Sequence, residues 1–197
     1  MSEPLNEEYW NLRYLNHQTN WDIGFPSPPI VKWFEKQKNL NLKILVPGAG
    51  LGHEVIYAFN KGFNNIYYMD YAEDAIKSFK KGCPKFPENH ILICDFFNLN
   101  LNNYFDIIIE QTFFCAQKPS KRENYVAKAH ELLKPNGKLI GLLFDAEFDK
   151  EGPPYGGRKN DYRSLFAKKF NIHKMSNTSL SIPARKGAEI WIEFLKK

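Results

Sequence analysis

Between residues 43 and 144 the chain repeatedly sets a short apolar run before a polar residue or a glycine, and then follows it with a stretch of helical spacing. Lys43-Ile44-Leu45-Val46 runs into Pro47-Gly48-Ala49-Gly50-Leu51-Gly52, and a helix is expected from about His53 to Asn60. Ile66-Tyr67-Tyr68-Met69 leads to Asp70 and a helical Ala72 to Lys80. His90 to Cys94 leads to Asp95, and Phe105 to Ile109 leads to Glu110. A helix over Lys121 to Leu133 is stopped by Pro135-Asn136-Gly137, and a fifth strand runs from Lys138 to Phe144. Continuous apolar runs alternating with helices predict a mostly parallel sheet covered on both faces. The end of the chain differs. Phe170 to His173 and Glu189 to Phe194 read as strands with no helix between them, which predicts an antiparallel edge.

Length and composition narrow the class. The 197 residues suit one domain, since cores usually split only beyond about 250 residues. The 4 Trp, 10 Tyr and 16 Phe argue for a well-packed core and against disorder. No run reaches the roughly 18 apolar residues of a spanning helix, so no membrane association is expected. Glu3, Glu7 and Glu8, with no apolar stretch among the first residues, leave no visible secretory signal. Cys83, Cys94 and Cys115 are too few and too unevenly spaced for a disulfide framework or a zinc motif, so a reduced, cytoplasmic setting is expected. From Arg158 onward ten Lys or Arg side chains face three Asp or Glu, a net of +7. Such a basic end is usually a solvated face and only sometimes a nucleic-acid face.

In open α/β sheets, ligands bind beyond the carboxyl ends of the strands. Three consecutive strand ends carry suitable groups here. Gly48 and Gly50, in a G-x-G-x-G turn with Gly52, let the backbone approach a ligand closely. Asp70 is placed to accept from ribose hydroxyls, and Asp95 from an adenine amino group, with Phe96 supplying a backbone N–H and an apolar ring face. These features predict nucleoside binding. The dinucleotide fingerprint needs a glycine where this chain has His53, so a ligand without pyrophosphate is expected, S-adenosylmethionine rather than NAD.

The segment Val46 to Glu54 resembles the first cofactor motif of the thiopurine S-methyltransferase superfamily, most closely in its halide/thiol methyltransferase branch. Five further stretches are similar in order and spacing. These are Trp10-x-x-x-Tyr14 with Thr19-x-Trp21-Asp22-x-Gly24, Asp95-Phe96-Phe97, Phe113-Phe114-Cys115-Ala116, Gly152-Pro153-Pro154-Tyr155, and Ile182-Pro183-x-Arg185-Lys186-Gly187. The resemblance covers nearly the whole chain from Trp10. It implies a class I, Rossmann-like three-layer fold on a seven-stranded sheet, in a single domain with residues 1–40 as a lid over the cofactor. It also implies that Trp10, Tyr14 and Trp21 contact S-adenosylmethionine, that Gly48 faces its methionine part, Asp70 its ribose and Asp95-Phe96 its adenine, and that Gln111 lies near it. Tyr14 stands where the branch usually has Trp, and Gln111 where Tyr is common.

The expected reaction is in-line displacement of a sulfonium methyl by a small soft nucleophile, a thiol, hydrosulfide, halide or thiopurine, leaving S-adenosylhomocysteine. No metal is expected, and the enzyme is expected to be a monomer. Aromatic faces attract a sulfonium cation by about 0.5–2 kcal/mol each. Arg185 is the candidate for favouring an anionic nucleophile, and Tyr155 for offering a hydroxyl in the acceptor pocket. Two rival readings are a nucleic-acid methyltransferase using the basic end and a non-catalytic module that binds S-adenosylmethionine without turning over an acceptor.

Overall fold

A computed structural model describes residues 5–149 and 152–197. Its seven strands are β1 (Ile44–Pro47), β2 (Ile66–Asp70), β3 (Ile91–Ile93), β4 (Phe105–Glu110), β5 (Leu133–Phe144), β6 (Phe170–Asn177) and β7 (Glu189–Lys196). They form one sheet in the order β3-β2-β1-β4-β5-β7-β6. Pairing is parallel from β3 to β5, and β7 runs antiparallel to both β5 and β6. The mostly parallel sheet with an antiparallel C-terminal edge is therefore as expected. The chain winds outward from β1 to β3 and then returns to β4 on the other side of β1. That reversal opens the crevice in which ligands of such sheets bind.

The helices are α1 (Glu7–Leu15), α2 (Pro28–Glu35), α3 (His53–Asn60), α4 (Glu73–Gly82), α5 (Arg122–Leu132) and α6 (Lys159–Phe166). Side chains alternate along each strand, so Ile44 and Val46 of β1 face one way and Leu45 the other. Ile44 and Val46 pack with Ile30 and Phe34 of α2, Val55 and Ala58 of α3, and Ile76 and Phe79 of α4. Leu45 belongs to the opposite core, with Tyr125, Val126, Ala129 and Leu132 of α5 and Tyr162 and Phe166 of α6. Two apolar cores on two faces explain why the strands read as unbroken apolar runs.

Three local features depart from the sequence reading. The strand–helix alternation breaks between β3 and β4, where only a 3₁₀ turn, Phe96–Asn98, intervenes. Asp95 caps that turn by accepting from Phe97 N–H at 3.0 Å, and the Asn-rich stretch that follows, with Asn103 at φ 49°, favours turns over helix. Helix α6 was not foreseen; its buried residues are only Tyr162 and Phe166 among charged neighbours, and Asp145 caps its start by accepting from Lys159 N–H at 2.9 Å. The expected lid of residues 1–40 divides in two. Residues 1–4 lie outside the described residues, α1 and the segment to Trp21 border the ligand crevice, and α2 is a core helix with Ile30 fully buried.

Candidate active site

A cavity of about 620 Å³ opens at the carboxyl ends of β1, β2 and β4, roofed by α1 and closed at the far side by residues that follow β5 and β6. Its floor is the turn after β1. Gly48 and Gly50 have φ of +57° and +55°, in the left-handed region where side chains are strained. A Cβ on Gly48 would lie 2.2 Å from the Phe113 ring, and one on Gly50 would lie 2.5 Å from the Tyr14 hydroxyl. Both positions demand glycine for space as well as for dihedral angle.

Asp70 ends β2 and ties this floor together. Its Oδ2 accepts from Gly50 N–H at 2.9 Å, and its Oδ1 accepts from Tyr71 and Ala72 N–H at 2.8 and 2.9 Å. Burial pushes its pKa up, while the three N–H donors pull it down. A carboxylate offers about four acceptor sites. With three filled by the backbone, Asp70 keeps room for about one more donor.

The roof is aromatic. The Trp10 and Trp21 rings meet edge to face at 5.4 Å, and Tyr14 and Trp21 do so at 5.7 Å. Asn6 caps α1 by accepting from Tyr9 N–H at 3.0 Å. The segment after α1 is pinned to the start of α3. Asp22 Oδ1 lies 2.8 Å from His53 Nε2, and Glu54 Oε1 accepts from Ser27 N–H at 2.8 Å. His53, which breaks the dinucleotide pattern, thus holds the lid segment. Glu54 is buried, and that burial raises its pKa.

The opposite end is formed by Phe144, Phe148, Pro153, Pro154, Tyr155 and Arg185. The main-chain N–H of Tyr155 donates to Cys115 O at 2.6 Å, and Arg122 Nη2 donates to the carbonyls of Tyr155 and Gly156 at 3.3 and 2.7 Å. Arg185 Nη2 donates to Trp21 O at 2.6 Å, and its Nη1 reaches Glu189 Oε1 at 3.4 Å. The Arg185 charge is therefore offset by a buried carboxylate.

Eight expected site residues surround this one cavity: Trp10, Tyr14, Trp21, Gly48, Asp70, Phe96, Tyr155 and Arg185. Gly50 sits behind the wall and acts through Asp70. Asp95 caps the 3₁₀ turn beneath Phe96, whose ring stacks on Tyr125 with centroids 5.3 Å apart. Gln111 borders a separate void of about 10 Å³ beside Cys115 and Glu189, and its Oε1 is buried without a protein partner. Thr112 and Phe113 line the main cavity in its place.

Glu110, the last residue of β4, gathers three hydrogen bonds that no local sequence pattern marks. Its Oε1 accepts from Phe113 and Phe114 N–H at 2.8 and 2.7 Å, and its Oε2 accepts from the Tyr125 hydroxyl at 2.5 Å. Burial pushes its pKa up to about 7. It fixes the turn that presents Phe113 to Gly48. Among the described residues, no three His, Cys, Asp or Glu side chains converge as metal ligands.

The model of one protein family, described as thiopurine S-methyltransferase (TPMT), matches residues 5–196. The chain belongs to that family. It is 31% identical over 184 residues to a probable thiol methyltransferase 2 from Arabidopsis thaliana, covering 91% of this chain and 81% of the relative. It is 29% identical over 193 residues to thiocyanate methyltransferase 1 from Brassica oleracea, covering 96% and 85%. The fold is shared with 1,6-didemethyltoxoflavin-N1-methyltransferase from Burkholderia thailandensis, solved with bound 1,6-didemethyltoxoflavin and S-adenosylhomocysteine. The TM-score is 0.80 at 16% identity, covering 100% of this chain and 92% of that one. The family reading from the motifs is borne out, and with it a class I, S-adenosylmethionine-dependent methyltransferase.

Proposed function

We propose that this member of the family methylates a small soft nucleophile, a thiol, hydrosulfide, halide or thiopurine, inside the larger cavity described above. The observation that carries the reading is the polarity of that cavity from end to end. One end has a glycine floor, a carboxylate and three aromatic rings, and the other has aromatic and proline side chains with one guanidinium, that of Arg185, whose charge Glu189 offsets. The volume lies within the roughly 300–1,000 Å³ usual for small-ligand sites.

The residues present fit S-adenosylmethionine. Gly48 takes the left-handed turn of the cavity floor, Asp70 keeps an acceptor site for a ribose hydroxyl, and Trp10, Tyr14 and Trp21 give a cation-attracting wall. When bound, that cofactor supplies an electrophilic sulfonium methyl. Phe144 and Phe148 exclude water from the acceptor, which weakens the solvation of a soft anion and raises its reactivity. The rest of the protein's contribution is alignment of the two reactants. Asp70 is the sole carboxylate among the described residues lining the cavity, and its backbone bonds hold it on β2. A thiol acceptor therefore reacts as the anion that solvent already provides, with no side-chain base required.

The basic end of the chain supports a small acceptor over a nucleic acid. Arg158 pairs with Glu147 and Lys168 with Glu123 on the surface, while Arg185 turns inward. No helix among the described residues is long and apolar enough to cross a membrane. The free thiols Cys83, Cys94 and Cys115 suit a reducing compartment such as the cytoplasm.

The test is a mass-spectrometric screen of thiols, hydrosulfide, halides and thiopurines as methyl acceptors, alongside calorimetry with S-adenosylmethionine. Saturable binding and methylation of at least one of these acceptors are expected. Absence of cofactor binding, or equal labelling of RNA under matched conditions, would overturn the proposal.

A further inference from the structure

We infer that Arg185 is a positioning residue that latches the N-terminal lid over the cavity through the main-chain oxygen of Trp21. This rests on the methyltransferase reading above and assigns Arg185 a role other than contact with the acceptor. The topology explains how a residue so late in the chain reaches the roof. Because β7 is antiparallel, its first residue, Glu189, pairs with Phe144, the last of β5, and so starts at the ligand edge of the sheet. The 3₁₀ turn Pro183–Arg185 just before it is tied to the same edge, since Asp145 N–H donates to Ala188 O at 2.8 Å and Ala188 N–H donates to Arg185 O at 3.0 Å.

From that anchored turn the guanidinium bridges 164 positions of sequence to Trp21 O at 2.6 Å, with Glu189 fixing its other branch at 3.4 Å. The two charged side chains are only 11% and 4% exposed, so the pair is oriented by the protein rather than by solvent. A planar fork can hold two acceptors at once, which an ammonium on a flexible stem does poorly. The next residue, Asp22, is gripped from the opposite side by His53 at 2.8 Å. Trp21 and Asp22 are thus clamped between the C-terminal edge and the start of α3. Trp21 is also the ring on which both Trp10 and Tyr14 pack. Loosening Arg185 frees the whole aromatic wall.

The experiment measures S-adenosylhomocysteine binding by calorimetry, kcat at saturating donor and acceptor, and amide hydrogen exchange across residues 16–24. Two variants are used, Arg185→Lys and the double Arg185→Met/Glu189→Gln, which removes both buried charges together. Loss of one charge-assisted hydrogen bond weakens S-adenosylhomocysteine about tenfold in the double variant, with a smaller loss for Arg185→Lys. Exchange across 16–24 accelerates, and the loss of affinity exceeds any fall in kcat at saturating donor and acceptor. Unchanged affinity and exchange with a fall in kcat would overturn the latch and return Arg185 to the acceptor. If the double variant does not fold, Arg185→Lys decides by the same two readouts. Failure of the unaltered protein to bind S-adenosylhomocysteine would overturn the methyltransferase reading alone. The latch would then stand or fall on exchange in Arg185→Lys.

Discussion

The two ends of the cavity are held in place by different means. At the glycine end, positions are set by the backbone: left-handed glycines, and one carboxylate that gathers three N–H groups from Gly50, Tyr71 and Ala72. At the acceptor end, long side chains hold irregular segments from a distance. Arg122 grips the carbonyls of Tyr155 and Gly156, and Glu189 holds the Arg185 guanidinium. A backbone-defined site tolerates little change in residue type or angle. A side-chain-defined site can change its shape by exchanging a few contacts while the strands remain untouched. The structure thus pairs a fixed donor end with an adjustable acceptor end.

The largest effect that tests this contrast is expected from Asp70→Ala. It leaves three N–H groups without their acceptor, which costs on the order of 3 kcal/mol of stability. It also removes the free acceptor site, so cofactor affinity measured by calorimetry falls at least tenfold. Retained affinity in a folded variant would show that the donor end does not depend on this carboxylate.

Glu110→Gln comes next and is read against pH. The carboxyl titrates near 7 in the folded protein against an ordinary value of 4.5, because burial disfavours its charge. Between those values the folded chain keeps a proton that the unfolded chain has released. The contribution of Glu110 to stability is therefore greatest below the ordinary value and falls as pH rises through about 7, by on the order of 3 kcal/mol in all. Glutamine can still accept from Phe113 and Phe114 N–H but does not titrate. Urea unfolding from pH 4 to 8 should show that part of the slope vanish in the variant. Equal slopes in the two proteins would mean that Glu110 is not the group responsible.

The same contrast governs what the sequence could disclose. Gly48, Gly50 and Asp70 were legible because each follows an apolar run at a spacing that the parallel sheet imposes. The antiparallel edge was legible because no helix separates its strands. Helix α6 was hidden by its length and by the sparse apolar residues among its charges. The missing helix between β3 and β4 was hidden because a 3₁₀ turn suffices for that connection. Glu110 could not be recognised as a structural hub, because its partner Tyr125 lies on a different element. For Arg185 the type of residue was informative, but its partner Trp21 lies at the other end of the chain. Contacts of that range leave no local pattern.

Acceptor chemistry gives a gentler test. If no side chain deprotonates the acceptor, the rate with a thiol of cysteine-like acidity rises with pH up to about 8.5, following the thiolate fraction of the acceptor itself. The rate with iodide, which carries no proton, stays flat over the same range. A rise with both acceptors would place the titrating group on the protein instead.

The smallest effects should separate the two ends most cleanly. Tyr14→Phe and Tyr155→Phe each remove one hydroxyl and keep the ring. The Tyr14 hydroxyl sits against Gly50, and burial keeps it neutral by raising its pKa. Its loss should weaken cofactor binding by only about threefold and leave the acceptor KM unchanged. Tyr155 belongs to the other end of the cavity, so its loss should raise the acceptor KM by a similar factor of about three and leave cofactor affinity alone. The informative result is the crossing of the two effects rather than the size of either. Were both variants to shift both constants together, donor and acceptor ends would be one coupled unit, and the backbone-held floor would not be independent of the side-chain-held wall.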